Sequence, residues 1–267
     1  MKLYFLSIAS GSSGNCYYMG TSEYGILIDA GVGIRVLRRV LQGHAIDFSK
    51  IIALLITHDH ADHIKTAGCL GEKCHIPVYA TEAVHKGIAA NRYIEDKLGA
   101  SRRIIEKEIA FAVRDFHVTA FEVPHDSTDN VGYYIRFGRH AFMFATDVGH
   151  ITPRISAYAK KTNHLILEAN YDEEMLRGGS YPQFLKKRVA GPTGHLSNRE
   201  AADFLAVHYH PELQNIWLCH LSQDNNHPEV AYKTVNMRLL NEGIRVGKDV
   251  SLTALMRNTP SDLYVFD

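Results

Sequence analysis

The 267 residues are 46% hydrophobic and 22% charged, with Lys+Arg and Asp+Glu equal at 29 each, the balance of an ordinary folded soluble chain rather than a disordered or polyelectrolyte one. A formal net charge of zero excludes binding of nucleic acid through bulk charge, so any such partner must be held by local patches. The length suits one large α/β domain over residues 1–267, since folds of that class often run past about two hundred residues undivided.

In chain order, MKLYFLSIASGSSG opens as a strand over 3–9 and a Gly/Ser turn; its apolar run is too short for a membrane span and lacks the layout of a secretory signal. Further strands are expected at 24–30, 50–57, 77–81, 116–123, 131–137, 141–146, 164–169 and 215–220, with GRH closing a hairpin over 131–146. Amphipathic spacing predicts helices near 33–42, 61–72, 82–98, 197–209 and 228–242. Ser197 with Glu200 three residues later forms a capping box for the fourth. The least regular stretch, 171–194, reads as a helix flanked by loops. There is no internal repeat, low-complexity tract or long linker. The four cysteines form no CxxC pair, which argues against a disulfide framework and for a reducing cytoplasm.

Histidine is the compositional oddity, at 16 residues. THDHADHI packs His58, His60, Asp62 and His63 directly after a predicted strand, and His125, Asp147 and His220 each follow the end of another. Ligands in open α/β sheets gather at the carboxyl ends of strands, so these seven can converge from distant positions. Two groups of three nitrogen or oxygen donors with one bridging carboxylate suit two metal ions about 3.5–4 Å apart. Imidazole with carboxylate favours Zn²⁺, Mn²⁺ or Fe²⁺ over a thiolate-loving metal. A lone histidine after a strand is ordinarily a hydrogen-bonded structural residue, and His44, His75, His85, His117, His140, His164, His208, His210 and His227 receive that reading. HxHxDH differs, because burying its groups without a metal would leave several polar atoms unpaired at about 1–3 kcal/mol each.

On HDHADH and the later His125, Asp147 and His220, the chain resembles the metallo-β-lactamase superfamily. That resemblance implies an α/β fold, the αββα four-layer sandwich, with two divalent metals at one edge. His58, His60 and His125 would hold one ion, Asp62, His63 and His220 the other, and Asp147 would bridge them. LIDAG (27–31) is similar to the family's early Asp-Gly turn, in which Asp29 would brace the metal loop. Asp147 stands where the zinc β-lactamases commonly have cysteine, which argues against cleavage of antibiotics. The stretch from Asp147 to His220 is too short for the inserted domain of the β-CASP nucleases, and the flexible arm of bacterial ribonuclease Z is not evident. SGSSGN (10–15), LEANYDEEML (167–176), GSYPQFLKKRV (179–189), GHLSN (194–198) and CHLSQDNN (219–226) resemble the YycJ/WalJ-type proteins over nearly the full length. The resemblance implies a cytoplasmic, metal-dependent 5′-to-3′ DNA exonuclease linked to DNA repair or replication.

The chemistry expected is phosphodiester hydrolysis by a hydroxide bridging the two metals, because the cations depress the pKa of bound water. Asp62, Glu168 and His195 are the expected catalytic residues, with a carboxylate-oriented imidazolium of His195 protonating the leaving oxygen. The bland alternatives are a turn residue before a helix cap for His195 and a strand-end carboxylate bonded to a loop for Glu168. Ser12, Ser13 and Asn15, in a Gly-bounded turn, could cradle a phosphate or simply turn the chain; Asn225 and Asn226 have the same standing. Arg35, Arg38 and Arg39 share a helix face and Lys186, Lys187 and Arg188 form a run, for which solvated surface is the default. The expected partner is a nucleic acid substrate, DNA ahead of RNA, with no membrane. The competing class is a small-molecule hydrolase of the same fold, a thioesterase, lactonase or cyclic-phosphate phosphodiesterase. A non-catalytic binding module would tolerate loss of ligands, and none is missing.

Overall fold

The computed structural model describes residues 1–92 and 94–267. The chain divides into two compact units, one made of Met1–Ile109, Ser127–Asn130 and Met256–Asp267, the other of Ala110–Asp126 and Val131–Leu255.

The first unit is built on a seven-stranded sheet. Its strands are β1 (Leu3–Ala9), β2 (Cys16–Gly20), β3 (Gly25–Ile28), β4 (Ile51–Leu55), β5 (Val78–Ala80), β6 (Arg102–Ile104) and the C-terminal β14 (Tyr264–Phe266), in the order β14-β1-β2-β3-β4-β5-β6. Pairing is antiparallel from β14 to β3 and parallel from β3 to β6. Parallel neighbours need crossovers, supplied by α1 (Ile34–Gly43), α2 (Ala61–Ile64) and α3 (Glu82–Ala90). Every residue of β2 and β3 is buried, and the core gathers Leu6, Ile8, Leu27, Leu54, Leu37 and Leu41. Helix α1 turns Leu37, Val40 and Leu41 inward and leaves its arginines in solvent, where the Arg38 guanidinium lies 4.3 Å from the Phe48 ring centroid.

Two predicted helices differ here. The one expected over 61–72 is interrupted after Ile64, where the Thr66 amide and hydroxyl both bond the Ala30 carbonyl, at 2.9 and 3.1 Å, and helical structure resumes from Ala67 into a π-helical stretch over Cys69–Lys73. The one expected over 82–98 ends at Ala90, and its predicted span includes Tyr93, which lies outside the described residues. Strand β2 is hidden in the sequence directly behind the Gly/Ser turn.

The second unit repeats the same plan. Its strands β7 (Ala110–Val113), β8 (Phe116–Glu122), β9 (Val131–Phe137), β10 (His140–Ala145), β11 (His164–Glu168), β12 (Asn215–Cys219) and β13 (Ser251–Ala254) run in the order β13-β12-β11-β10-β9-β8-β7. Pairing is antiparallel from β7 to β10 and parallel from β10 to β13. The helices are α4 (Pro153–Ala159), α5 (Glu173–Gly178), α6 (Gln183–Val189), α7 (Asn198–His208) and α8 (Pro228–Asn241). Both halves of the predicted capping box at Ser197 and Glu200 are formed, and the β9–β10 hairpin turns where GRH placed it. Phe204 and Leu205 of α7 and Val235 and Leu239 of α8 join Leu165, Leu167, Ile216 and Leu218 in one core, each large side chain contributing about 1.5–3 kcal/mol by leaving water.

The single helix expected in 171–194 is two, α5 and α6. Pro182 caps the second; without an N–H it could not continue the first. All four cysteines are free thiols. Among the described residues no helix is long and apolar enough to cross a membrane.

Candidate functional site

In the first unit, β3 and β4 are parallel neighbours, so the residues just past their carboxyl ends meet. Asp29 follows β3 with φ of 60°, a left-handed conformation that costs a non-glycine residue about 1–3 kcal/mol. Its carboxylate accepts from the Thr57 amide at 2.8 Å and the Thr57 hydroxyl at 2.9 Å, and lies 2.8 Å from His63 Nδ1. Since the hydroxyl donates to Asp29, its lone pair takes the His58 Nδ1 proton at 3.0 Å. Both imidazoles therefore carry their proton on Nδ1 and present Nε2 as the basic nitrogen, the tautomer a metal requires. His58 and His63 are wholly buried, while His60, capping α2, and Asp62 inside it are half-buried. The His58 ring centroid lies 4.7 Å from that of His60 and 4.0 Å from that of His63. Four donor residues thus sit in one patch of this unit.

Asn15 is buried beneath that patch. Its side chain bonds Gly11 in both directions, at 2.9 and 3.0 Å, and its amide nitrogen lies 2.9 Å from His63 Nε2 and 3.3 Å from the Asp62 carboxylate. Gly31 passes so close that a Cβ there would sit 1.6 Å from the Asp62 carbonyl oxygen. Ser12 and Ser13 are exposed and, with Asp62 and Lys65, line a cleft of about 310 Å³.

In the second unit, β8 and β10 both run antiparallel to β9, and β10, β11 and β12 run parallel. Their carboxyl ends therefore share one sheet edge, where His125, Asp147, Glu168 and His220 emerge. Asp147 and His220 have φ of 53° and 54°, turning the chain sharply at the strand ends. Glu168 closes β11, wholly buried. Its Oε1 lies 2.7 Å from His195 Nδ1 and 2.9 Å from His220 Nδ1, and its Oε2 accepts from the amides of Val148 and Leu196 at 2.7 and 3.1 Å. His125 Nδ1 donates to the Gly194 carbonyl at 2.9 Å, leaving Nε2 as the lone-pair nitrogen 3.6 Å from Asp147 Oδ1. His220 Nδ1 and His195 Nδ1 stand 3.4 and 3.9 Å from the same oxygen. Asp147, Glu168, His195 and His220 offer donor atoms all within 4.8 Å of one another.

Burial acts to raise the Glu168 carboxyl, but the charge of His195 and the hydrogen bonds from His195 and His220 prevail and hold it below its ordinary value. Burial acts to lower His195, and the Glu168 carboxylate overcomes it, leaving the imidazole above its ordinary value. The pair thus favours an anionic Glu168 facing a His195 that holds its proton more firmly than an ordinary imidazole.

Each predicted ligand thus lies in a cluster within its own unit. Sequence reasoning missed Thr57, the relay between Asp29 and His58, and Asn170, whose amide bonds the His220 carbonyl at 2.8 Å; position directly beside a ligand or strand end was the available signal. Asn225 is buried, its backbone carbonyl accepting from the Asp172 amide at 2.8 Å. Asn226 is buried too and ties Asn198 to the Ala169 carbonyl, each at 2.9 Å. His44 and His208 bond carbonyls one helical turn back, in keeping with their structural reading.

Residues 24–213 match the family model of the β-lactamase superfamily domain. The chain belongs to the β-lactamase superfamily. The matched stretch runs through both compact units. The chain is 34% identical over 254 residues to exodeoxyribonuclease YycJ of Bacillus anthracis, covering 93% of each chain. It is 31% identical over 256 residues to exodeoxyribonuclease WalJ of Streptococcus pneumoniae serotype 2, covering 96% of this chain and 95% of that one. The crystal structure of the metallo-β-lactamase fold protein YhfI from Bacillus subtilis aligns with a TM-score of 0.71 at 15% identity, over 100% of this chain and 99% of that one. The expected α/β metallo-β-lactamase fold and the YycJ/WalJ resemblance are both borne out. The protein is a metal-binding hydrolase of this superfamily.

Proposed function

We propose that the protein is a dimetal-dependent phosphodiesterase, a DNA exonuclease working 5′ to 3′ in the cytoplasm, with residues 1–267 acting as one domain. His58, His60 and His125 would hold one ion, Asp62, His63 and His220 the other, and Asp147 would serve both. The donor set fits hard or borderline divalent cations: the ligands are imidazole and carboxylate without thiolate, and His58, His63, His125 and His220 each have Nδ1 engaged so that Nε2 is offered. Zn²⁺ and Mn²⁺ are the ions proposed, with Fe²⁺ also compatible. When bound, such ions supply Lewis acidity and lower the pKa of water beside the scissile phosphate.

The observation that carries the reading is the Glu168–His195 pair at 2.7 Å. Phosphodiester hydrolysis expels an alkoxide that needs a proton as the bond to phosphorus breaks. Glu168 holds His195 through Nδ1, which leaves the Nε2 proton to transfer to that oxygen. The pair stands at the same sheet edge as Asp147 and His220, so the donor and two ligands serve one phosphate. Ser12 and Ser13 contact a neighbouring phosphate from their cleft beside Asp62, and Asn15 and Asn225 hold the loops on which these contacts depend. The two relatives named exodeoxyribonucleases support a polymeric DNA substrate.

The test is digestion of end-labelled duplex DNA, single-stranded DNA and RNA by protein loaded with Mn²⁺ or Zn²⁺, with Asp62→Ala as control. Stepwise loss of nucleotides from the 5′ end of DNA, absent in the control, is expected. Intact polymers alongside hydrolysis of a thioester or lactone would refute the nuclease reading.

A further inference from the structure

The segment between Glu168 and His195 is used by the mechanism only at its two ends. Between them α5 and α6 enclose a cleft of about 440 Å³ with Tyr171 and Leu176 among its apolar walls and Arg177, Lys186 and Lys187 at its side. Glu173 is the carboxylate of the lining, so cations outnumber it three to one. Arg177 pairs with Glu174 and the Lys186 ammonium bonds the Arg177 carbonyl at 2.7 Å. Lys187 is exposed and forms no ion pair among the described residues. One helical turn before it, Phe184 is 74% exposed, an unusual placement for a large aromatic ring on a surface helix.

The cleft is stitched to the reacting end of the site. The His195 amide bonds the Val189 carbonyl at the end of α6 at 2.9 Å, and the Asn198 amide bonds the Tyr171 carbonyl at 2.8 Å. Gly194, whose carbonyl orients His125, lies so tightly on α6 that a Cβ there would sit 2.2 Å from the Val189 carbonyl oxygen. The cleft wall and the His195 segment are therefore held together by backbone bonds.

We propose that the α5–α6 cleft and the exposed face of α6 beside it are a docking site for a single strand of DNA, with the backbone phosphates on Lys186 and Lys187 in the cleft and one base stacked on Phe184 outside it. The inference rests on the phosphodiesterase reading above and adds where the strand is held. The occupant follows from charge and shape together: an exposed aromatic one turn from Lys187, beside a cleft in which cations outnumber the carboxylate, matches a polymer that alternates π-faces with anions. An acidic peptide would use the cations but leave Phe184 without a partner.

Binding of a fluorescent 20-nucleotide phosphorothioate single strand is the direct test, read by anisotropy so that turnover plays no part. Phe184→Ala should weaken binding about tenfold or more, and Phe184→Trp should retain it, since stacking on an aromatic is tolerant of ring type. Lys186→Gln with Lys187→Gln should flatten the dependence of log K on log salt by about 1.4, two phosphates at roughly 0.7 each for single strands. All three side chains lie on the surface, so folding is not at stake, and hydrolysis of bis-p-nitrophenyl phosphate, too small to reach the cleft, should be unchanged in every variant. Affinity and salt slope equal to wild type in these variants would overturn the cleft proposal. Loss of bis-p-nitrophenyl phosphate hydrolysis in the wild type would instead count against the phosphodiesterase reading.

Discussion

His164 begins β11 and is wholly buried, 3.0 Å from His140 and 3.0 Å from the Asn215 amide. Burial first, and the neighbouring His140 second, push its pKa down to about 3. Unfolded, a histidine takes its proton near pH 6.5, so below that value the unfolded chain binds more protons and stability falls as pH drops toward 3; above it the group is silent. Between pH 7 and pH 5 this one residue should remove about 2 kcal/mol, and His164→Gln should shrink the pH dependence of the unfolding free energy measured by urea titration by that amount. A midpoint as pH-sensitive in the variant as in wild type would refute the assignment. At the His58–His63 patch, Asp29 bonds Thr57 and lies against His63 Nδ1. Asp29→Ala should lower metal affinity about 10–100-fold in competition with a chromophoric chelator, while Asp47→Ala, on the surface, should leave it unchanged.

Among the α-helices, the shortest is the most constrained. Helix α2 has four residues, too few to hold itself together by backbone bonding, and tertiary contacts set it: the Asn15 amide bonds the Asp62 carbonyl at 2.8 Å and the Ala30 amide bonds the His63 carbonyl at 2.7 Å. Gly31→Ala would drive a methyl into the Asp62 carbonyl and should weaken metal binding by tenfold or more on the scale of displaced ligand supports. Gly33→Ala, with nothing within 4 Å of the new carbon, should bind metal as wild type does; equal affinities in the two variants would refute the close-approach account. Helix α7 was legible in advance because a capping box is a local signal. The end of α2 was not, because Thr66 leaves the helix for Ala30, a partner 36 positions away.

For the molecule as a whole, metals that bind only the folded chain should raise its melting temperature by mass action, worth about 2.7 kcal/mol at a hundredfold excess over Kd. Zn²⁺ or Mn²⁺ should therefore shift the thermal transition of chelator-stripped wild type upward and shift that of His63→Ala much less; equal shifts would place the ions elsewhere. The sequence by itself determined the strand cores, the ligand residue types and their placement just past strand ends, because apolar runs, caps and HxHxDH are short-range patterns. It also carried the superfamily, since Asp29, HDHADH, His125, Asp147 and His220 keep their order along the chain. Only the tertiary structure decided which nitrogen each imidazole offers, that Asn15 lies buried under His63, and that Phe184 stands exposed one turn from Lys187, outside the cleft that Lys187 lines. Hydrogen-bond partners and exposure arise from contacts between positions far apart in sequence, and no local pattern encodes them.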